Sequence, residues 1–364
     1  MKIGMMSLWN AANGPSIHAE MIGREWVRMG HRLTIFSSIR HPDARPTRQK
    51  DEDFVIRHFA VDNVYPFTRA SFFNPEPLLR ENFDIFIAQN VERLPAKSLL
   101  EIFPKIKRKS VTVMVVHEGK EPEDPLYYKF NWDAIVCFDK RYIDFLVKHF
   151  PDNIIHIIPY PCYPYTPGDK NESRKKLGIP LNAKVIFSFG FRAKEITRLL
   201  PHIKELTTKY PLKYIIIANP KSEVNLLEEL KIKYKFVDLQ VRPIPLKELY
   251  IYLYASDALL IHRESSEKYN AVISSSVCQA LGSGCPILFH NSNFVDSHNG
   301  EIIKYSNFID MKNKLIKIFQ KGFDDKKVQE FLSEKNSHVI AKRFIRLFKE
   351  LLERHKYDHT SENI

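Results

Sequence analysis

The stretch that decides the fold is 256–290, SDALLIHRESSEKYNAVISSSVCQALGSGCPILFH. Residues 258–261 are apolar over the length of a buried strand, and the charged residues 262–268 have no apolar period and predict an exposed loop. Apolar residues then recur at helical spacing from 271 to 281. Residues 285–289 restart a strand, so the stretch is predicted to run strand, loop, helix, turn, strand.

The start of this helix is a candidate ligand site. In an α/β sheet such a loop and helix start lie at the carboxyl edge of the strands, where ligands bind. A helix N-terminus offers free N–H groups to a phosphate, and Ser274 and Ser275 would add hydroxyl donors. Alternatively, these serines only suit a helix start or its solvated face. Gly282 and Gly284 predict the helix end, because a left-handed C-terminal position suits glycine.

Length and composition limit the class of protein. A chain of 364 residues exceeds the size at which one core keeps growing, so two domains are expected. The 44% hydrophobic and 27% charged residues are typical of a soluble globular protein. No apolar run reaches membrane-spanning length, and the first residues read as a strand rather than a signal peptide. The four cysteines lack Cys-x-x-Cys spacing, which favours reduced thiols in the cytoplasm over a metal site.

The net charge of +12 is compatible with nucleic acid, an anionic membrane or an anionic small ligand. No nucleic-acid-binding motif accompanies the charge, so no nucleic acid partner is expected. The basic cluster 104–109 follows Ile102 and Phe103 and favours a solvated basic turn. The alternative is peripheral contact with anionic lipid at the inner face of the membrane.

The chain begins with a βαβ pattern. Residues 2–7 predict a strand, 10–15 a turn, and a helix follows from Ser16, the expected N-cap, to Gly30. Residues 31–37 predict the next strand. This order indicates a parallel sheet, and the absence of Gly-x-Gly-x-x-Gly disfavours a dinucleotide-dependent dehydrogenase.

A later strand supplies the strongest candidate side chain. Residues 110–116 form a nearly continuous apolar run, which is typical of a buried parallel strand. His117 and Glu118 follow it directly, and polar residues at this end of a strand point into the ligand crevice. We expect His117 to be functional. Glu118 would orient it, bind the acceptor or cap the following turn.

A proline-rich connector marks the boundary between the domains. Residues 160–169 contain three prolines and a glycine, so the expected domains are 1–163 and 164–335. The second domain opens with the strand 184–190. Arg192 and Lys194 follow it ahead of a helix, an arrangement that suits an anion at a βα turn; the alternative is solvated charges.

The order and spacing of these segments resemble the family 4 glycosyltransferases of GT-B fold, a group 1 type that retains configuration. The matching features are Gly14, His18 and Gly30-His31 in the first βαβ unit, His117-Glu118, Arg192 and Lys194, and QALGSGCP at 279–286. The resemblance implies an α/β fold of two Rossmann-like domains with a cleft between them. It also implies that a C-terminal helix at about 336–364 packs back on the first domain.

The implied activity is transfer of a sugar from a UDP- or GDP-linked donor to a glycan, lipid or small-molecule acceptor, with retention. The donor is a substrate, and no cofactor is implied. No metal is implied either, because Arg192, Lys194 and the helix start at Ser274 and Ser275 would meet the leaving diphosphate. Gly14 and His18 would contribute to substrate binding from the first domain.

The glutamate pair of the family is altered here. Gln279 matches the second glutamate, which holds the donor ribose, and an amide can both accept and donate. Ala271 stands at the position of the first, and Glu264 or Glu267 would replace it near the sugar. Two other hypotheses stay open: a catalytically degenerate scaffold that binds nucleotide or glycan, and a sugar-nucleotide epimerase of the same build.

Overall fold

The computed structural model describes residues 1–39, 50–61, 70–190, 193–219 and 224–361. The chain divides into two compact units. Unit 1 comprises Met1–Pro161, Glu267–Val272 and Ser337–Ile364, and unit 2 comprises Cys162–Ser266 and Ile273–Asn336. The short segment Glu267–Val272 therefore belongs to unit 1, although the stretch around it in the sequence belongs to unit 2.

Unit 1 is built on an eight-stranded sheet and unit 2 on a six-stranded sheet. The strands are β1 (Lys2–Met6), β2 (Arg32–Ser38), β3 (Val55–Val61), β4 (Ala70–Phe73), β5 (Ile85–Gln89), β6 (Val111–Val115), β7 (Ala134–Cys137), β8 (Ile155–Ile157), β9 (Lys184–Phe189), β10 (Leu212–Ala218), β11 (Val237–Val241), β12 (Ala258–Ile261), β13 (Ile287–His290) and β14 (Ile303–Tyr305). Their order is β4-β3-β2-β1-β5-β6-β7-β8 in unit 1 and β11-β10-β9-β12-β13-β14 in unit 2. Among these pairs only β3 and β4 run antiparallel.

Helices connect the parallel strands. They are α1 (Gly14–Arg28), α2 (Glu76–Arg80), α3 (Ala96–Lys107), α4 (Ile143–Leu146), α5 (Lys170–Lys176), α6 (Ala193–Leu206), α7 (Val224–Lys233), α8 (Leu246–Ala255), α9 (Ser275–Ala280), α10 (Phe308–Lys321), α11 (Lys326–Lys335) and α12 (Ser337–Ser361). Within the described ranges, no helix has the length and apolar character needed to cross a membrane.

The core of unit 1 lies on both faces of its central strands. Every residue of β5 and β6 is buried, as expected for parallel strands that carry helices on both sides. The last helix, α12, covers α1: the Trp26 indole N–H donates to the Ala341 carbonyl over 3.2 Å. The same indole meets the rings of Phe344 and Phe348 edge to face.

Three local predictions need correction. Helix α1 begins at Gly14, and its N-cap is Asn13, whose Oδ1 accepts the Ser16 N–H. Ser16 is therefore inside the helix, where its hydroxyl donates to buried Glu20. The basic cluster 104–109 is mostly the last turn of α3 rather than a separate turn.

Helix α9 is shorter than predicted, since it starts at Ser275 instead of 271. The backbone N–H groups of Asn270 and Ala271 both donate to the Gly119 carbonyl at 2.7 and 2.9 Å. These two N–H groups therefore bond to the loop after His117 and not to helix α9. At the other end, Gly284 adopts the left-handed conformation (φ 74°) that was expected of it.

Candidate functional site

The candidate site in unit 1 lies at the carboxyl edge of its sheet. Strands β1, β5 and β6 are parallel neighbours, so their carboxyl ends meet at one edge. Gln89 is the last residue of β5, and His117 follows β6 by two residues. His18 comes from the beginning of α1, the helix that follows β1.

His18 is completely buried. Its Nδ1 lies 2.8 Å from Oε1 of Gln89, and its ring packs on those of Phe138 and Tyr160 at centroid distances of 5.1 and 5.2 Å. Nε2 has no hydrogen-bond partner within the described part of the chain. Burial lowers the pKa of His18 to about 3, so the imidazole is neutral at physiological pH.

His117 reaches the same amide from the other side. Its Nε2 lies 3.1 Å from Oε1 of Gln89, and its ring meets that of His18 edge to face at 5.0 Å. Burial first and the nearby His18 second hold the pKa of His117 well below its usual range. Unlike His18, the His117 residue is partly exposed. It is thus the histidine of this cluster that a ligand can reach.

Glu118 is buried beside His117, and protein donors occupy both of its carboxylate oxygens. Oε1 accepts the Glu92 N–H at 3.2 Å, while Oε2 accepts the His117 N–H at 2.9 Å and the Tyr127 hydroxyl at 3.1 Å. Burial, followed by the charge of Glu92, raises the pKa of Glu118 to about 7. These hydrogen bonds hold the backbone at His117 in place.

Gly14 is the first residue of α1, followed by Pro15 in the first turn, where a proline is tolerated. Its carbonyl accepts the Tyr160 hydroxyl at 2.8 Å. The Tyr160 ring also packs on the rings of His18 and His117. Tyr160 therefore contacts both the first residue of α1 and this histidine cluster, which consists of His18 and His117.

The segment Glu267–Val272 is held on the loop after His117. Its Asn270 and Ala271 N–H groups donate to the Gly119 carbonyl, and Arg141 donates to the Val272 carbonyl at 3.1 Å. A Cβ on Gly119 would lie 2.5 Å from the Ala271 carbonyl oxygen, so this approach requires glycine. Ala271 is fully buried, whereas Glu267 is exposed.

In unit 2, the predicted diphosphate contacts lie around the end of β9. Arg192 is outside the described residues. Lys194 belongs to the first turn of α6, and nothing further is described of its side chain. Gly190 directly follows β9 and has a left-handed backbone (φ 75°).

Glu264 follows β12 and forms an ion pair with Arg198 of α6. Both side chains are more than half exposed, so the pair contributes little stability. The contact joins the loop after β12 to the helix that carries Lys194.

Ser274, Ser275 and Gln279 share one short helix. Ser274 is the N-cap residue of α9 but makes no side-chain capping bond, and Ser275 is the first helical residue. The Gln279 side-chain amide donates to the Ser275 carbonyl at 3.3 Å. All three are partly exposed. The structure thus places Gly14, His18, His117, Glu118 and Glu267 in unit 1, and Lys194, Glu264, Ser274, Ser275 and Gln279 in unit 2.

Two polar residues at strand ends were not predicted from the sequence, Gln89 and His262. Gln89 ends the apolar run of β5 as His117 ends that of β6, so the same signal was present in the sequence. His262 follows β12 and is buried, with Nδ1 2.8 Å from the Tyr305 hydroxyl. Burial lowers the pKa of His262 to about 4.

Three consecutive acidic residues, Asp51-Glu52-Asp53, precede β3. Asp51 pairs with Arg57 and Glu52 with Arg24, each at 2.8 Å. The Trp9 indole N–H also donates to Glu52. Asp51 and Glu52 therefore serve as ion-pair partners in the loop before β3.

A depression of about 350 Å³ lies elsewhere in unit 2, lined by residues that include Pro180, Pro211, Lys213 and Phe236. These residues stand at the amino ends of β9, β10 and β11. Ligands of parallel α/β sheets bind at the carboxyl ends, so this depression is not the candidate site.

Comparison with known proteins gives the class of fold. No family model matches the sequence. Sucrose-phosphate synthase from Thermosynechococcus elongatus superposes with a TM-score of 0.68 at 12% identity, covering 97% of this chain and 100% of that one. A glycosyltransferase from Rickettsia africae gives 0.69 at 14% identity, covering 96% and 98%. HepE from Anabaena, in complex with UDP and glucose, gives 0.64 at 14% identity, covering 96% and 100%.

The chain therefore has the GT-B fold predicted from the sequence. The likeness spans nearly the whole chain and nearly the whole of each neighbour. At these identities it establishes the fold; the activity rests on the site.

Proposed function

We propose that this chain is a glycosyltransferase that moves a sugar from a UDP-sugar to a hydroxyl acceptor with retention of configuration, as family 4 enzymes do. The observation that carries the proposal is the GT-B fold over its full length, together with a polar cluster at the carboxyl edge of its first sheet. HepE, which shares the fold, binds UDP and glucose. That complex favours a UDP-linked donor over a GDP-linked one.

In the proposed reaction the bond between the anomeric carbon and the diphosphate oxygen breaks, and UDP leaves with the electron pair. The acceptor oxygen forms the new bond on the same face of the sugar, and its proton is released. Negative charge develops on the leaving diphosphate, where Arg192, Lys194 and the hydroxyls of Ser274 and Ser275 would stabilise it. The donor is a substrate, and the proposal needs neither a cofactor nor a metal.

The sugar would be contacted from unit 1. His117 is the partly exposed member of the histidine cluster, with Glu118 bracing its backbone. His18 and Gly14 support that cluster. Gln279 would meet the ribose, and Glu264 or Glu267, both exposed, would supply the carboxylate that Ala271 lacks.

A panel of nucleotides tests donor binding. Thermal unfolding of the purified chain would be measured with UDP, GDP, ADP and their sugar conjugates. A ligand at about 100 times its Kd stabilises the folded state by about 2.7 kcal/mol, so UDP should raise Tm clearly. Arg192→Ala should abolish the rise, whereas Lys204→Ala, further along α6, should keep it. No rise with any nucleotide would refute the donor site.

The acceptor is proposed to be a glycan or glycolipid, used in the cytoplasm. Four free, buried cysteines support a reducing compartment. The basic end of α3 would rest on anionic lipid, although Lys107 already pairs with Asp133 at 2.8 Å. Sedimentation with vesicles containing phosphatidylserine tests this contact. Equal sedimentation of wild type and Lys105→Glu/Arg108→Glu would refute it.

One observation favours a second function, a scaffold that binds nucleotide without turnover. Ala271 offers no carboxylate where the family has one, and it is buried. Nucleotide binding without release of UDP from any donor would support the scaffold.

A third function, a sugar-nucleotide epimerase, gives a different result. Conversion of the donor sugar into its epimer without release of UDP would indicate it.

A further inference from the structure

Gln89 occupies an unusual position, because a single amide oxygen lies between two imidazoles. Its Oε1 is 2.8 Å from Nδ1 of His18 and 3.1 Å from Nε2 of His117. Gln89 is itself 1% exposed, so water does not compete for these contacts. Whichever amide atom faces the rings decides which ring nitrogens carry protons.

Met5 determines the orientation of the amide. Its Sδ lies 3.2 Å from Nε2 of Gln89, and a thioether sulfur only accepts hydrogen bonds. The amide nitrogen therefore faces Met5 and the oxygen faces the imidazoles. In the flipped orientation the oxygen would meet the sulfur, and the buried N–H donor would lose its acceptor.

The tautomers follow from this orientation. An amide oxygen accepts only, so His18 carries its proton on Nδ1 and His117 carries its proton on Nε2. His18 is left with a bare Nε2 in an apolar ring environment. His117, which is a partly exposed residue, is left with a bare Nδ1.

The surroundings keep both rings neutral. The titratable side chains against them are each other and Tyr160, and Glu118 meets His117 at its backbone N–H. No carboxylate within the described residues pairs with either ring, and burial opposes a charge. Each ring therefore stays in one protonation state and one tautomer.

We propose that Gln89 is a positioning residue that fixes His117 as the Nε2–H tautomer and so presents Nδ1 as a hydrogen-bond acceptor. Such a lone pair recognises a hydroxyl group and repels a phosphate oxygen. The ligand class at this point is therefore a sugar hydroxyl rather than the diphosphate. This last step rests on the proposed glycosyltransferase function, whereas the tautomer assignment does not.

Side-chain ¹⁵N NMR of the full chain, labelled at histidine, tests the assignment directly. Resonances would be assigned with His117→Gln and His18→Gln. We expect His117 to be protonated at Nε2 and His18 at Nδ1, both unchanged from pH 5.5 to 8.5. In Gln89→Leu the acceptor is gone, so the His117 signal should shift toward a tautomer mixture. Gln329→Leu, on the exposed surface of α11, should leave it unchanged.

Gln89→Glu separates positioning from mere packing. A carboxylate still accepts from both rings but favours their protonated form. Turnover of a UDP-sugar by this variant should therefore be low near neutral pH and recover as the pH rises, while wild type shows no such recovery. Gln89→Leu should lose roughly threefold to tenfold in kcat/KM, as expected for one lost orienting hydrogen bond.

Several outcomes would overturn the proposal. They are a wild-type His117 protonated at Nδ1 or charged at neutral pH, an unchanged His117 tautomer in Gln89→Leu, and a wild-type pH profile in Gln89→Glu. If Gln89→Leu does not fold, the wild-type spectrum and the pH profile of Gln89→Glu still test the proposal. Correct tautomers without turnover of any nucleotide sugar would uphold the positioning role and refute the transferase function.

Discussion

At the scale of single residues, the structure separates two histidines that both contact Gln89. His18 lies within α1 and is enclosed, whereas His117 follows β6 and is partly exposed. The rings that enclose His18 come from Phe138, Tyr160 and Phe344, more than a hundred residues away. Local pattern cannot reveal such neighbours, so the enclosure of His18 could not be predicted from the sequence.

His117→Ala tests the proposed sugar contact. If His117 accepts a hydrogen bond from the sugar, its loss should lower kcat/KM roughly tenfold. The Kd for UDP alone should stay the same, because UDP lacks the sugar. The control is His149→Ala, which removes an exposed histidine paired with Glu121 and should leave both quantities unchanged. A weaker UDP affinity in His117→Ala would place this residue at the nucleotide instead.

The raised pKa of Glu118 predicts that the stability of the protein depends on pH. Its pKa is raised from 4.5 to about 7 by burial and by Glu92. The folded state therefore keeps a proton that the unfolded chain releases between these values, and the free energy of unfolding should fall as the pH rises through this window. The expected loss is roughly 3 kcal/mol.

Urea unfolding at pH 5 and pH 7.5 measures this loss. Glu118→Gln removes the titrating group, so the extra pH dependence of wild type over Glu118→Gln isolates it. The buried histidines titrate in both proteins and cancel in the difference. An identical pH dependence in the two proteins would contradict the account.

At the scale of elements, the sequence predicted a strand over residues 258–261, and β12 has these bounds. It missed β4 and α2, because the short edge strand Ala70–Phe73 carries no clear alternation of apolar and polar residues. It also extended α9 too far. The apolar spacing there is real, but the N–H groups of Asn270 and Ala271 bond to Gly119, a partner distant in sequence.

Gly282 illustrates why the turn after α9 is rich in glycine. A Cβ there would lie 2.5 Å from the Pro164 carbonyl oxygen and 2.6 Å from the Tyr250 hydroxyl. Gly282→Ala should therefore displace α9 and cost about 1–3 kcal/mol of stability. If α9 contacts the donor, as we propose, Gly282→Ala should also weaken the binding of UDP.

Gly178→Ala is the matched control. Gly178 has a left-handed backbone (φ 63°) but no atom near the added Cβ, so the cost is local strain of about 1–2 kcal/mol. Thermal unfolding and UDP titration of both variants separate close packing from strain. Equal UDP affinity in Gly282→Ala and wild type would argue against a donor contact at α9.

At the scale of the whole molecule, the alternation of strands and helices predicted parallel α/β sheets, and the resemblance to family 4 glycosyltransferases implied the GT-B fold. Two largely parallel sheets and GT-B neighbours that match over nearly the full chain confirm the fold. The site was less predictable, since it depends on side chains brought together by the sheets. Gln89 is an example: its contacts with both His18 and His117 are visible only when β5, β6 and α1 are assembled.

The most direct measurement of the central claim is release of UDP from UDP-sugars by the full chain, with and without a glycan or glycolipid acceptor. The account predicts that one UDP-sugar is consumed faster with acceptor, that a glycoside of retained configuration forms, and that Arg192→Ala and His117→Ala slow both. Binding of UDP without its release from any donor, or with conversion of the sugar alone, would contradict the claim.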